Sequence, residues 1–207
     1  MTDLPTHGVI WLRSAFAEPS ERVAAAEAAG RVTVLTETDL TRDALFAHRG
    51  LITGIQLDQD RALCWAEMLS AWLSAGGRWL FNGHMVRPIL PEASPFVPMD
   101  RPGRADFAQT RIADHPILTG IDPSKLEANR GVAGFYGRGH NPMPKGAIAI
   151  TGLGPSHVPV DWHWPVGRGA VFSHAGNDLW GAGLEHGLGP VLTERCIAWA
   201  GGDLPCA

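Results

Sequence analysis

The chain has 207 residues, is 45% apolar and carries a net charge of −4. That suits one domain, spanning 1–207, with a core large enough to need no disulfide or metal staple. Acidic and basic residues are interspersed without a basic stripe, which argues against a nucleic-acid partner. No apolar run reaches the ~18 residues of a membrane span.

Cys64, Cys196 and Cys206 are the only cysteines and show no C-x-x-C or metal spacing, as a reducing compartment predicts. Met1 to Gly8 holds no basic segment followed by an apolar one, so the sequence predicts a cytoplasmic protein without a signal peptide.

Gly8–Arg13 reads as a buried strand, followed by an alanine-rich helix that Ser20 caps and Gly30 ends. Val32–Leu35 is a second strand, and the three make a βαβ-type opening. Thr41 caps a short helix ending near His48, and Leu51–Gln56 is a third strand. Asp58-Gln59-Asp60 opens the next helix with charges that suit its dipole. Trp65, Met68, Leu69, Trp72 and Leu73 give that helix one buried face, and Gly76-Gly77 ends it. A strand then runs from Trp79 and stops abruptly at Gly83-His84.

From Met85 to about Arg111 the chain is proline-rich and lacks periodicity, as a long functional or wrapping loop does. Gly131 to His140 is glycine-rich and predicts a turn between strands. As a segment over a pocket, it would instead offer Phe135, Tyr136 and Arg138 to a ligand. It matches neither a P-loop nor a dinucleotide fingerprint. Ala147–Ile150 is a further strand. Val158 to Trp164 alternates, with Val158, Val160, Trp162 and Trp164 on one face and Asp161 and His163 on the other. A turn over Pro165 to Gly169 leads to the strand Ala170–Ser173. A last helix carries Val191, Leu192, Arg195, Cys196 and Trp199 at helical spacing. This order predicts an α/β protein: a three-layer α/β/α sandwich with a mainly parallel sheet and an antiparallel hairpin near 158–174 at an edge.

Parallel strands share a carboxyl edge, where open α/β sheets bind ligands. Arg13, Ser14, Glu37, Gln56, Asp58, His84 and His174 all follow strand ends and should gather there. His84 and His174, with Asp178 as a partner, are the candidate catalytic groups, since imidazole suits general acid–base work. Gln56, Asp58, Arg138 and Trp180 are the candidate substrate contacts. No organic-cofactor motif is present. A divalent metal would draw on His84, His174, Asp58 and Asp178, or on Asp161 and His163, without any tight ligand motif. Of the eight tryptophans, most sit at core spacing, and Trp180 is the one expected beside a ligand.

Three segments carry a resemblance. Ala75-Gly-Gly-Arg-Trp-Leu-Phe-Asn-Gly-His84 resembles the strand and nucleophile elbow of class I glutamine amidotransferase-like domains, and most of all their trehalose-utilisation, or ThuA-like, branch. Asp114-His-Pro-Ile-Leu-Thr-Gly-Ile121 is similar to a D-H-P-I-x-x-G-[IL] segment of that branch. Gly167-Arg-Gly-Ala-Val-Phe-Ser-His174 resembles the late strand that carries the amidotransferase histidine. The segments stand in the right order over residues 50 to 180.

The resemblance implies a flavodoxin-like fold and a small-molecule ligand, either a polar metabolite or a sugar derivative. The chain departs from the family where the glutaminase cysteine belongs, since His84 stands at the elbow and no thiol is near. The family's histidine is followed by Pro-Glu, whereas here Ala175-Gly-Asn-Asp178 displaces the carboxylate. Hydrolysis of glutamine through a thioester is thereby disfavoured. Three readings stay open: an enzyme using His84 as acid or base, a non-catalytic small-molecule-binding domain, and an assembly module that forms homo-oligomers.

Overall fold

The computed structural model describes residues 4–14, 18–129 and 131–207. Eight strands form one sheet. They are β1 (Val9–Arg13), β2 (Val32–Thr36), β3 (Gly50–Thr53), β4 (Arg78–Asn82), β5 (Gln109–Arg111), β6 (Ile148–Leu153), β7 (Val158–Val166) and β8 (Gly169–His174). Their spatial order is β2-β1-β3-β4-β8-β7-β6-β5. The first five in that order run parallel, and β7, β6 and β5 continue it antiparallel.

Alternation along the strands sorts the core into two layers. Val9 and Trp11, with Ile52, Leu80 and Phe172, face α1 (Glu21–Ala28) and α5 (Leu188–Gly201). Ile10 and Leu12, with Leu51, Trp79, Phe81 and Val171, face α2 (Arg42–Phe46), α3 (Gln59–Leu63) and α4 (Ala66–Ser74). The sandwich is therefore the flavodoxin-like arrangement expected of a βαβ opening. Ser20, Thr41 and Asp58 cap α1, α2 and α3 through their side-chain oxygens, each accepting the backbone N–H three residues on. Among the described residues no helix is long and apolar enough to cross a membrane.

Four expectations need correction. The single helix after Asp58 is two, because the chain turns at Cys64 and Trp65; Met68 is only half-buried, at the margin of its cluster. The segment from Met85 to Arg111 is not all loop: Gln109–Arg111 pairs with β6 and forms the sheet's edge. The hairpin of β7 and β8 consequently lies inside the sheet, between β4 and β6. Finally, Val160 packs with Tyr136 and Leu153, in the layer opposite Trp162 and Trp164. The register between β6 and β7 slips next to Val160, which is an extra residue, and such a bulge turns the next side chain to a new face.

Candidate functional site

The carboxyl edge of the parallel strands gathers most of the groups named from the sequence, around two cavities. The first lies at the end of β4. Asn82 is buried, donating to Thr53 O at 3.0 Å and accepting Leu179 N–H at 2.9 Å. Gly83 follows at φ +107°, where L side chains are strained, and a Cβ there would sit 3.0 Å from Ile55 Cα. The apex of the elbow therefore holds no side chain, and His84 is the residue just past it. Gly83 N–H donates to His174 O at 2.9 Å, which locks the elbow to β8. Asn141, fully buried, accepts Met85 N–H at 2.9 Å and donates to Gly83 O at 3.0 Å and Ser173 Oγ at 3.0 Å. Gln59 grips the other side, donating to His84 O at 2.7 Å and accepting the N–H groups of Val86 and Arg87.

The His84 ring lies flat on Phe96, with centroids 3.7 Å apart and 12° between planes. Partial burial, and a smaller effect of nearby His174, lower its pKa, so the imidazole is neutral at pH 7. It borders a cavity of about 310 Å³ with Phe135, Gly137, Arg138, Gly176 and Asn177. Arg138 is exposed there and donates to Ala133 O at 2.9 Å.

His174 lies behind that cavity and is fully buried. Its partner is Asp161, directly opposite on β7: Nδ1 donates to Oδ1 at 2.6 Å. Tyr136 OH donates to the other carboxylate oxygen at 2.6 Å. Burial first, and Asp161 next, push the phenol's pKa well up, so it remains a donor. Arg111 reaches Thr151 Oγ1 beside this group. His174 Nε2 is buried without a hydrogen-bond partner. A Cβ on Gly176 would lie 2.7 Å from that nitrogen and 1.6 Å from Tyr136 O, so glycine alone fits the seam between His174 and the cavity.

Asp178, expected to pair with His174, does not. It accepts Ile55 N–H at 2.8 Å, and its carboxyl is pushed up by burial, a shift that this hydrogen bond and His174 reduce. With Trp11, Arg13, Ser14, Glu37, Gln56 and Trp180 it borders the second cavity, of about 210 Å³. This one sits between the ends of β1 and β3, where the sheet's connections diverge to either side. Asp58 borders neither of these cavities: it caps α3, and its N–H donates to Glu37 Oε1 at 2.8 Å. Among the described residues no three His, Cys, Asp or Glu side chains gather as a metal-binding group, so the candidate ligands named from the sequence do not converge. Asp161 and His163 do share a face, but His163 packs on Trp199 and near His115 instead of on Asp161.

By sequence the chain matches no family model and no curated protein. By structure it resembles two proteins of Salmonella typhimurium described as cytoplasmic proteins. Their TM-scores are 0.57 and 0.56 at 10% and 9% identity, over 94% of this chain and 99% of each of theirs. A protein of Thermoplasma acidophilum described as a putative GMP synthase subunit scores 0.56 at 10% identity, over 93% of both chains. The chain has the fold of these proteins. At such identities the likeness is one of fold alone.

Sequence reading missed Asp161 as the partner of His174, and placed Tyr136 in a glycine-rich turn, or alternatively over a pocket, whereas it is buried against Asp161. The signal for Asp161 was present. A two-residue turn at Gly167-Arg168 sets a hairpin register in which stepping outward brings Asp161 opposite His174. Phe96, Gly176 and Asn141 carried no comparable signal, because their roles arise from contacts distant in sequence.

Proposed function

We propose that the protein belongs to the glutamine amidotransferase-like superfamily, nearest its ThuA-like branch, and acts in the cytoplasm on a small polar metabolite or sugar derivative. The order of the three resembling segments and the shared fold support the first part. In this reading, the chemistry is proton transfer at the elbow instead of thiol attack. His84, neutral and facing the cavity, takes a proton from the bound molecule and returns it. Arg138, across the same cavity, holds an anionic or carbonyl oxygen. His174, oriented by Asp161 and Tyr136, backs the seam and sets the field that His84 experiences.

The observation that carries this reading is an imidazole stacked in place at the strand end beside an open cavity. The test is incubation of the protein with a mixture of small polar metabolites, followed by proton NMR. The expected result is consumption of at least one component, with His84→Ala slower by about 10²-fold or more. An unchanged mixture, or an equally active variant, would overturn it. One observation favours a second reading, a binding domain without turnover: Nε2 of His174 is sealed from the cavity. That reading predicts saturable binding of a component that is never consumed.

A further inference from the structure

The cavity between β1 and β3 is a site of a different character from the elbow. Its wall carries charge of both signs. Glu37 and Asp178 face it from β2's end and from the segment after β8, with Glu18 at the rim, and Arg13 faces it from the end of β1. The amino end of α1, at Ser20, adds a positive dipole end. Trp11 and Trp180 form an aromatic corner, with centroids 4.4 Å apart and 56° between planes. Gln56 is exposed on the loop after β3.

Each feature narrows the ligand. Among the described residues of the wall, three carboxylates against one guanidinium disfavour a phosphate or carboxylate ligand. Arg13 and the helix end disfavour an organic cation. A neutral molecule with several hydroxyls fits both sets, because each hydroxyl donates one hydrogen bond and accepts others. Carboxylate oxygens of Glu37 and Asp178 accept from it, and the amide of Gln56 and the guanidinium of Arg13 donate to it. Its C–H face lies on the tryptophan corner, as apolar faces do on aromatic rings. The place is the topological switch point, where open sheets of this order bind ligands.

We propose that this cavity binds a small uncharged polyhydroxylated molecule, of about the size of a single sugar ring or cyclitol, independently of any turnover at the elbow.

The test uses the full chain and four separate probes: myo-inositol, D-glucose, choline and inorganic phosphate. The readout is the NMR signals of the Trp11 and Trp180 indole N–H groups. The expected result is a saturable shift of both signals with myo-inositol or D-glucose. Gln56→Ala, a change at an exposed side chain, and Asp178→Asn should each weaken it about tenfold or more. His84→Ala should bind as the unaltered chain does, which separates this site from the elbow reading. Saturation by choline or phosphate in place of the polyols would overturn the proposal. So would indole signals that no probe moves, binding that Gln56→Ala and Asp178→Asn both leave unchanged, or binding that His84→Ala abolishes.

Discussion

At the residue scale one glycine and two carboxylates, Gly176, Asp161 and Asp178, set the geometry. Gly176 leaves no room for even a methyl group, because its position is walled by Tyr136 O and His174 Nε2. Gly176→Ala should destabilise the protein by about 1–3 kcal/mol or more, read by denaturant unfolding, since the wall on one side is backbone. A fold of unchanged stability would mean that the seam is looser than described. Asp161 satisfies two buried donors, the His174 imidazole and the Tyr136 hydroxyl. Asp161→Ala orphans both and should cost about 2–5 kcal/mol. Asp178→Ala releases one backbone donor, Ile55 N–H, and should cost about 1–2 kcal/mol. If the two variants unfolded at the same denaturant concentration, the assignment of Asp161 over Asp178 would lose its energetic basis.

At the scale of elements, the contact between β7, β8 and α5 explains an expected acid sensitivity. His115 and His163 lie in that layer against Phe172 and Trp199. Burial pushes both down, His115 to about 3 and His163 to about 4, and in His115 the neighbouring His163 adds to the effect. A depressed histidine binds its proton in the unfolded chain before it does so in the folded one. Their contribution is therefore complete above pH ~6.5 and is lost as pH falls toward 4 and 3, on the order of several kcal/mol in total. Asp178, whose carboxyl is raised, works in the opposite direction. The expected outcome is a melting temperature that falls steeply between pH 6.5 and 4, with a shallower fall in His163→Phe. A fall as steep in the variant would remove His163 from the account.

The same elements show what the sequence could say. Strands β1, β3, β4 and β8 are legible because they are short apolar runs between turn signals, and their alternation gives both layers of the core. Strand β5 is not, since Gln-Thr-Arg at a sheet edge carries no apolar pattern. The break in the helix after Asp58 is invisible because Trp65 fits the helical spacing even as it opens a second helix. The elbow was legible from Gly83 and His84, whereas the rest of the site depends on pairing between distant segments. Asp161 meets His174 across a hairpin, and Tyr136 reaches both from a loop that its glycines disguise as a simple turn.

The whole molecule is a parallel sheet flanked on one side by an antiparallel extension, with both layers buried along the middle strands. Strands β3, β4 and β8 are buried throughout, so their amides should exchange with solvent last, at rates set by global unfolding. Those of Gln109–Arg111 at the edge should exchange early. Early exchange in β4 would contradict the strand order. The antiparallel extension also has a functional consequence: β7 lies next to β8, and only that neighbour places a carboxylate opposite the histidine at the strand end.

Asp161 holds the His174 imidazole through Nδ1 beneath Gly176, behind the His84 cavity. Nitrogen-15 NMR of the histidine side chains reads that contact. The expected spectrum shows a His174 Nδ1 proton that exchanges slowly with water and a signal displaced in Asp161→Asn but not in Asp178→Asn. An Nδ1 without a proton, or a signal that moves with Asp178 and ignores Asp161, would contradict it.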